Sequence, residues 1–215
     1  MKTIGVIESP FKEKFSIPRQ GGLVDIPMKI KILPPYNREE AFIGLNQFSH
    51  LWILFLFSDV NENEEKLVVR PPRLGGNVKQ GVFATRSPYR PNRIGMSVVK
   101  ILSVSKDEII ICGGDFLDQT PVIDIKPYIK EVDAIIEARS SWTDEIVDKK
   151  LRVEFINDCD HCLKLIERET IEKILALDPR PRFHQDEKKD YAVKLYDYDI
   201  HFKINEDLVT IFSIR

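Results

Sequence analysis

Residues 70–93 (RPPRLGGNVKQGVFATRSPYRPNR) concentrate positive charge in a chain that is otherwise nearly neutral. They contain no carboxylate and six basic side chains: Arg70, Arg73, Lys79, Arg86, Arg90 and Arg93. Seven residues of the stretch are Gly or Pro, which form tight turns, permit close approach of a ligand and do not continue a helix. The stretch therefore predicts a stiff cationic surface that faces a ligand. Because loops usually run over the protein surface, a second interpretation stays open, in which the arginines are scattered over long loops and contact only solvent.

The segment Cys159-Asp160-His161-Cys162 is a second candidate for chemistry, because it has the C-x-x-C spacing of zinc and redox sites. It lies at the predicted start of a helix, a position that would stabilise a thiolate. A tetrahedral zinc site requires four ligands, and the sequence contains no second pair of cysteines that could complete it. The pattern therefore favours neither a metal site nor a redox role.

Tyr196 and Tyr198 alternate with Asp197 and Asp199 near the end of the chain. Two interpretations explain this pattern equally well: a solvated strand face, and a surface on which RNA bases stack. Base stacking requires only an exposed ring.

The composition limits the class of protein. With 215 residues, 43% of them hydrophobic, the chain can form a medium domain and a small one. A net charge of -2 argues against indiscriminate nucleic-acid binding, so a polyanionic partner is expected to dock at one place. No secretion signal opens the chain, and the longest apolar run, residues 51–57, is too short to span a bilayer. We therefore expect a cytoplasmic protein without a membrane partner, with three free thiols.

Strand patterns dominate the chain before residue 130. Strands are predicted at residues 3–7, 23–33, 50–57, 81–85, 94–105, 108–112 and 122–126. The run at 50–57 lacks alternation, which is typical of a central strand buried on both faces. Asn37 and Glu40 have the spacing of a capping box and predict a short helix that Gly44 ends. So many strands predict a mainly β fold with a closed or nearly closed barrel, because closure removes exposed edges.

The composition changes after residue 128, and a polar connector at 130–150 is predicted to separate two domains, residues 1–135 and 150–215. The second is predicted to be a small α+β unit, with strands at 151–155 and 209–214, a helix over 160–177 and a bulged strand at 191–204. Neither G-x-G-x-x-G nor a Walker A motif occurs, so a Rossmann or P-loop site has no support.

Five sequence blocks resemble the TsaA-like family of tRNA methyltransferases, also called the TrmO family. They are residues 4–22 (IGVIESPFKEKFSIPRQGG), 44–57 (GLNQFSHLWILFLF), 69–77 (VRPPRLGGN), 81–95 (GVFATRSPYRPNRIG) and 115–128 (DFLDQTPVIDIKPY). A weaker sixth block, residues 178–183 (DPRPRF) followed by 191–198, resembles the C-terminal domain of the family. The blocks cover nearly the full chain in order.

This resemblance implies a β-barrel catalytic domain that is not a Rossmann fold, a small C-terminal domain that contacts tRNA or supports the dimer, and a homodimer whose subunits meet near the cofactor. The implied reaction uses S-adenosyl-L-methionine to methylate N6 of threonylcarbamoyladenosine (t6A), next to the anticodon of tRNA, which gives m6t6A. The positions that match the family's cofactor site are Pro18, Arg19, Gln20, His50, Leu51, Arg86, Met96, Asp115, Phe116, Leu117 and Asp118.

Physical roles can be assigned to some of these positions. Arg19 or Arg86 is expected to pair with the methionine carboxylate, and Asp115 or Asp118 to accept hydrogen bonds from the ribose or the α-amino group. His50 or Asp118 is the candidate base for the N6 proton, although a histidine in such a position more often only hydrogen-bonds or packs. The residues expected to contact tRNA are Arg70, Arg73, Lys79, Arg90, Arg93, Tyr196 and Tyr198.

The chain departs from the family pattern at two positions. Arg93 stands where R-P-N-P-I-G has proline, and Gln119 stands where D-G-T-P has glycine. The second change matters if that turn requires a positive φ.

Two other functions stay open on the residues alone. A non-catalytic RNA-binding barrel would have no cofactor affinity. A small-molecule enzyme that holds a phosphorylated or acidic metabolite on the cationic loop would have no tRNA affinity.

Overall fold

The computed structural model describes residues 1–144, 150–180 and 189–215. The first unit contains β1 (Gly5–Glu8), β2 (Pro27–Ile32), β3 (His50–Leu56), β4 (Val68–Val69), β5 (Gln80–Gly81), β6 (Ile94–Val104), β7 (Glu108–Cys112) and β8 (Thr120–Pro127). Six of these strands form a closed antiparallel barrel in the order β1-β2-β7-β6-β3-β8, in which β8 pairs back with β1. The predicted closed β architecture, without a Rossmann fold, is thus confirmed. The remaining two strands form a small ribbon, in which β4 directly precedes the basic stretch and β5 lies within it.

Burial alternates along β3, which makes the prediction of a strand buried on both faces wrong. Leu51 and Ile53 are fully buried in the barrel, whereas the outward residues are half-buried. A barrel has one interior, so only every second side chain enters it. The outer face is apolar because other parts of the chain cover it: the ring of Trp52 lies 5.9 Å from that of Tyr128, and its Nε1 donates to Asp133 Oδ2 at 2.9 Å.

An aromatic cluster closes one end of the barrel. Phe55 faces Gly95 across the β3–β6 pair, and a Cβ at position 95 would overlap the Phe55 ring. That ring contacts Phe57 and Phe116 edge-on, with centroid distances of 5.2 and 5.0 Å. Glycine is therefore required opposite Phe55, and the cluster that it accommodates lies at the carboxyl end of β3.

The second unit follows α1 (Lys130–Asp133) and a 3₁₀ turn at Ser141–Thr143. It contains β9 (Arg152–Phe155), α2 (Leu165–Leu175), β10 (Tyr191–Leu195), β11 (Tyr198–Asn205) and β12 (Leu208–Ile214). The sheet order is β10-β11-β12-β9, with β9 parallel to β12 and the other pairs antiparallel. The helix buries Ile171, Ile174 and Leu175.

Several local predictions are wrong. The helix begins at Leu165 rather than near 160, because turns with Asn157 and Asp158 at positive φ precede it. The bulge expected near 195 is a turn between β10 and β11, with Tyr196 at φ 55°. Residues 82–84 form a 3₁₀ helix rather than a strand, and the helix expected after Asn37 is a 3₁₀ turn without a side-chain cap.

The two units pack against each other directly. Phe11, which is fully buried, forms an isolated β-bridge with Leu195. Next to it, the amide of Tyr196 donates to the carbonyl of Pro10 at 2.8 Å. The chain segment between β1 and β2 therefore fixes the second unit beside the barrel.

Candidate active site

A cavity of 1110 Å³ lies at the end of the barrel where the aromatic cluster of Phe55, Phe57 and Phe116 is located. Its walls come from residues 14–20 after β1, from the basic stretch with the start of β6, and from residues 179–180 of the second unit. Small-molecule sites commonly measure about 300–1,000 Å³. The cavity is therefore large enough for a cofactor together with part of a second ligand.

The cavity is strongly cationic. Among the described residues that line it, two are acidic, Asp59 and Asp115, and eight are basic: Lys14, Arg19, Lys66, Arg70, Arg73, Arg86, Arg90 and Arg180. Asp59 pairs with Lys14 at 3.0 Å, at the solvent-exposed edge. The remaining positive charge favours an anionic ligand.

Asp115 is the carboxylate inside this cavity. Its Oδ1 accepts a hydrogen bond from Ser97 Oγ at 2.6 Å, and the Gly21 amide donates to it as well. Burial raises the pKa of Asp115, and these hydrogen bonds and the charge of Arg86 reduce the shift without cancelling it. A Cβ at Gly21 would lie 3.3 Å from both Asp115 Oδ1 and the Gly113 carbonyl, so glycine allows the backbone to approach the carboxylate.

The two arginines proposed for a ligand carboxylate have different partners. Arg86 Nη1 donates to Gln20 Oε1 at 2.7 Å, and its charge acts on Asp115. Arg19 Nη2 instead donates to two backbone carbonyls of the second unit, Asp178 O at 2.8 Å and Arg180 O at 3.2 Å. Arg86 is therefore the better placed of the two to meet a ligand.

An apolar wall faces the charged groups. It includes Met96, half of whose surface is exposed, and Leu117, both of which the resemblance predicted. Phe15, Phe57 and Trp142 also line the cavity and were missed. Phe15 and Phe57 lie inside the blocks that resemble the family, so the signal for them was present; Trp142 lies in the connector, where no pattern marks it.

The cavity brings together seven of the eleven positions predicted for the cofactor: Pro18, Arg19, Gln20, Arg86, Met96, Asp115 and Leu117. The other four, His50, Leu51, Phe116 and Asp118, are not among its lining residues. Leu51 and Phe116 are fully buried in the hydrophobic core. Within one subunit their side chains are therefore covered by the core, and a cofactor contact at these two positions stays a prediction.

His50 begins β3, whereas the cavity lies at the other end of that strand, beside Phe55. At about 3.3 Å per residue, this separation is ~17 Å. His50 Nδ1 is 2.8 Å from Ser49 Oγ, and its ring lies edge-on to Tyr128. Within one chain, His50 therefore does not meet the cavity.

Asp118 lies in a second and more open groove. Its Oδ1 accepts from the Ser9 amide at 2.9 Å, and its Oδ2 from Lys12 Nζ at 2.7 Å. Burial alone would raise the pKa of Asp118, but the hydrogen bonds from Lys12 and Ser9 outweigh burial and lower it. A carboxylate held in this way is a poor proton acceptor, so the arrangement does not support Asp118 as a catalytic base or a cofactor ligand. The adjacent Gln119 has φ 63°, so the turn does require the positive φ that favours glycine.

Some of the positions predicted to contact tRNA line the cavity, and others do not. Arg70, Arg73 and Arg90 line the cavity, whereas Lys79 and Arg93 do not. Lys79 is exposed, and Arg93 donates from Nη1 to the carbonyl of Val60 at 2.7 Å.

Tyr196 and Tyr198 contact the second unit itself. The hydroxyl of Tyr196 donates to Thr170 Oγ1 at 3.1 Å, and that of Tyr198 to Glu167 Oε2 at 3.2 Å. Both rings also pack on the hydrophobic core. Neither ring is fully exposed, and a contact of these tyrosines with tRNA stays a prediction.

The C-x-x-C segment does not stabilise a thiolate at Cys159. Cys159 and Cys162 are free, and burial raises the pKa of Cys159, contrary to the stabilised thiolate expected at a helix start. The described residues contain no group of three or more His, Cys, Asp or Glu arranged to hold a metal ion. Nor does any helix in the described ranges have the length and apolar character needed to cross a membrane.

Comparison with known sequence families gives two matches that together span most of the chain. The profile of the tRNA-methyltransferase O N-terminal domain matches residues 6–134. The profile of the TrmO C-terminal domain matches residues 148–215.

Individual relatives agree with these matches. The tRNA (adenine(37)-N6)-methyltransferase of Escherichia coli is 41% identical over 225 residues, which cover 99% of this chain and 96% of the relative. A Pseudomonas aeruginosa protein with the provisional name S-adenosylmethionine-dependent methyltransferase RcsF is 42% identical, over 98% of this chain and 95% of that protein. The crystal structure of TrmO from P. aeruginosa superposes with a TM-score of 0.80 at 36% identity and covers 99% of this chain and 97% of its own.

Proposed function

Because the chain belongs to the TrmO family of tRNA methyltransferases, we propose that its substrate is the t6A nucleoside beside the anticodon of tRNA, which it methylates at N6 to m6t6A. It is an S-adenosylmethionine-dependent enzyme. The relatives that match it along its whole length are named tRNA (adenine(37)-N6)-methyltransferase and S-adenosylmethionine-dependent methyltransferase. The observation that carries the proposal is the cavity, which joins a partly buried carboxylate, Asp115, to a strongly cationic wall. The alternative of a non-catalytic RNA-binding barrel has no comparable support.

The residues of the cavity fit S-adenosylmethionine. Asp115, held by Ser97 and Gly21, is an acceptor for the ribose hydroxyls or the α-amino group. Arg86 supplies a cation for the methionine carboxylate, and Met96 with Leu117 offers apolar surface for the adenine or the thioether. The bound cofactor supplies an electrophilic methyl group.

The chain contributes mainly by positioning, since a methyl transfer needs the acceptor nitrogen held in line at near-attack distance. N6 of t6A is conjugated with a carbonyl and is weakly nucleophilic, so removal of its proton would assist the reaction. No histidine lines the cavity among the described residues. His50 can therefore act there only if a second subunit brings it.

We include a homodimer in the proposal for this reason. An apolar and exposed segment follows Tyr128, with Val132, Ile135 and Ile136 exposed to 71%, 70% and 92%. Tyr128 also contacts His50, so this surface and His50 are neighbours. A second copy that covers the segment would bury apolar surface. His50 takes part in the reaction only if this contact also brings it to the partner's cavity.

Mixing two inactive variants tests this arrangement. His50→Ala and Arg86→Ala subunits are combined, unfolded and refolded together, and assayed for methyl transfer. If His50 acts across the dimer, mixed dimers contain one intact site and the sample regains about a quarter of the wild-type activity. If His50 acts in its own subunit, mixing restores nothing. If His50 has no catalytic role, the His50→Ala variant is already active before mixing.

The cationic wall is proposed to hold the RNA. Arg70 and Arg90 line the cavity at the basic stretch, where a phosphate contact would add to the salt dependence of binding. Replacement of Arg70 with Ala should lower the slope of log Kd against log salt by about one unit. Because its substrate is tRNA, the enzyme is proposed to act in the cytoplasm, with residues 1–135 as the cofactor-binding domain and 150–215 as the domain that contacts tRNA or supports the dimer.

The proposed reaction is tested with S-adenosylmethionine carrying a labelled methyl group and with tRNA that does or does not contain t6A. After digestion, label is expected in m6t6A alone. Label in another nucleoside would change the substrate. If the protein binds tRNA but transfers no label, it is instead a non-catalytic RNA-binding protein.

A further inference from the structure

We propose that Pro179 and Arg180 of the second unit form a substrate-binding wall of the cavity, in which Arg180 contacts an anionic oxygen of the RNA while Asp178 and Arg19 set its position. This inference rests on the proposed function, since it names the contact through which the second unit takes part in the reaction. Pro179 and Arg180 both line the cavity, although they lie about 160 residues along the chain from Arg19.

Arg19 holds the backbone of this segment. One nitrogen, Nη2, donates to the carbonyls of Asp178 and Arg180, at 2.8 and 3.2 Å. Two carbonyls two residues apart can converge on one donor only if the backbone bends around it. The guanidinium therefore fixes the curvature of the segment as well as its distance from the barrel.

Asp178 holds the side chain. Its carboxylate accepts a two-point contact from Arg180, with Nε donating at 2.8 Å and Nη2 at 2.9 Å, and the amide of Arg180 donates to the same carboxylate at 3.2 Å. The Arg180 side chain is only 13% exposed. Its described side-chain contacts use Nε and Nη2, and they leave the planar group in one orientation at the cavity wall.

The backbone conformation of Asp178 gives a separate reason to see this segment as a functional device. Asp178 has φ 51° and precedes a proline, which disfavours helical conformations in the preceding residue. Such conformations cost free energy and persist where surrounding contacts enforce them, commonly at ligand clamps. Here Arg19 and Arg180 supply those contacts, and the result is a fixed cation facing the cavity.

The ligand chemistry follows from the surroundings. Arg180 joins a wall whose other charged members are mainly basic, so its partner is an anion rather than a second cation. An RNA substrate with t6A offers two such groups, a backbone phosphate and the threonyl carboxylate. Both present oxygens that suit a guanidinium.

The test measures binding of tRNA with and without t6A to full-length variants, together with cofactor affinity. Arg180→Ala should weaken binding of t6A-containing tRNA about tenfold and leave the cofactor Kd within about twofold. Arg152→Ala is the matched control, because Arg152 is on the same unit, is 73% exposed and does not line the cavity. Equal weakening for both tRNAs assigns the phosphate, and weakening for the modified tRNA alone assigns the carboxylate. Unchanged affinity for both tRNAs overturns the proposal.

The positioning role of Arg19 requires a second comparison. Arg19→Ala should weaken tRNA binding as much as Arg180→Ala, and the double variant should be no weaker than the worse single variant. If Arg19→Ala does not fold, Arg19→Met replaces it, since it keeps most of the apolar stem and removes the donor to both carbonyls. Additive losses, or an Arg19→Met variant with wild-type affinity, contradict the role. A failure of the proposed function is distinguished by the wild-type protein, which would then bind tRNA without methylating it.

Discussion

Replacement of Asp118 with Ala should cost stability and leave the reaction intact. The change removes two hydrogen bonds, one from the Ser9 amide at 2.9 Å and one from Lys12 Nζ at 2.7 Å. Ser9 is 7% exposed, so its unpaired amide costs about 1–3 kcal/mol. The Lys12 pair is partly exposed and contributes about 0.5–1 kcal/mol. The free energy of unfolding should therefore fall by about 1.5–4 kcal/mol.

Urea denaturation followed by circular dichroism measures this loss, and methyl transfer at saturating substrates measures the reaction. Asp118→Asn is the control, since it keeps an oxygen for the Ser9 amide and loses only the charge; it should cost about 1 kcal/mol. Turnover of both variants should stay within about threefold of wild type, because Asp118 is not among the residues that line the cavity. A loss of turnover above about a hundredfold with unchanged stability would refute this reasoning and return Asp118 to the catalytic machinery.

The pH dependence of stability provides a second check on the same residue. The pKa of Asp118 is lowered in the folded protein, so its ionised form stabilises the fold at pH values above its ordinary pKa of 3.8. This contribution is lost as the pH falls through the lowered pKa. Wild type and Asp118→Ala should therefore differ most near neutral pH and converge in acid.

Two further predictions concern the same strand and loop region. Burial raises the pKa of Asp115, so the affinity of the wild-type protein for the cofactor should fall with decreasing pH already above the ordinary aspartate pKa of 3.8. Asp115→Asn should bind the cofactor about tenfold more weakly and lose this pH dependence. A wild-type affinity that stays constant through this pH range would contradict the assignment. Gln119→Gly should stabilise the protein by about 0.5–1 kcal/mol in urea denaturation, because φ 63° is costly for a side chain-bearing residue, whereas a destabilised variant would show that the Gln119 side chain outweighs its backbone strain.

Alternating patterns predicted the barrel well. The hydrophobic patterns of 94–105, 108–112 and 122–126 correspond to β6, β7 and β8, since burial of one face imposes a period of two residues. The prediction failed for β3, whose outer face is covered by other segments of the chain. Trp52 and its neighbours on β3 are apolar on both faces because Tyr128 and Asp133 cover the outer one, which local sequence does not reveal.

Turn geometry limited the prediction of the site. The spacing of Asp115 and Asp118 made them equivalent candidates, but one enters the cavity and the other faces Ser9 and Lys12. Only three-dimensional packing distinguishes them. Trp142 joins the cavity from the connector, where no local pattern marks it. Arg180 lies in the block at residues 178–183 that resembles the family, but that block does not show that docking of the second unit brings Arg180 to the cavity.

The most direct test of the account is a crystal structure of the protein with S-adenosylhomocysteine, the product form of the cofactor. Density is expected in the cavity, with a donor of the ligand within hydrogen-bond distance of Asp115 and its carboxylate near Arg86. Density in the groove beside Asp118, or ordered ligand without contact to Asp115 and Arg86, would contradict the assignment of the active site.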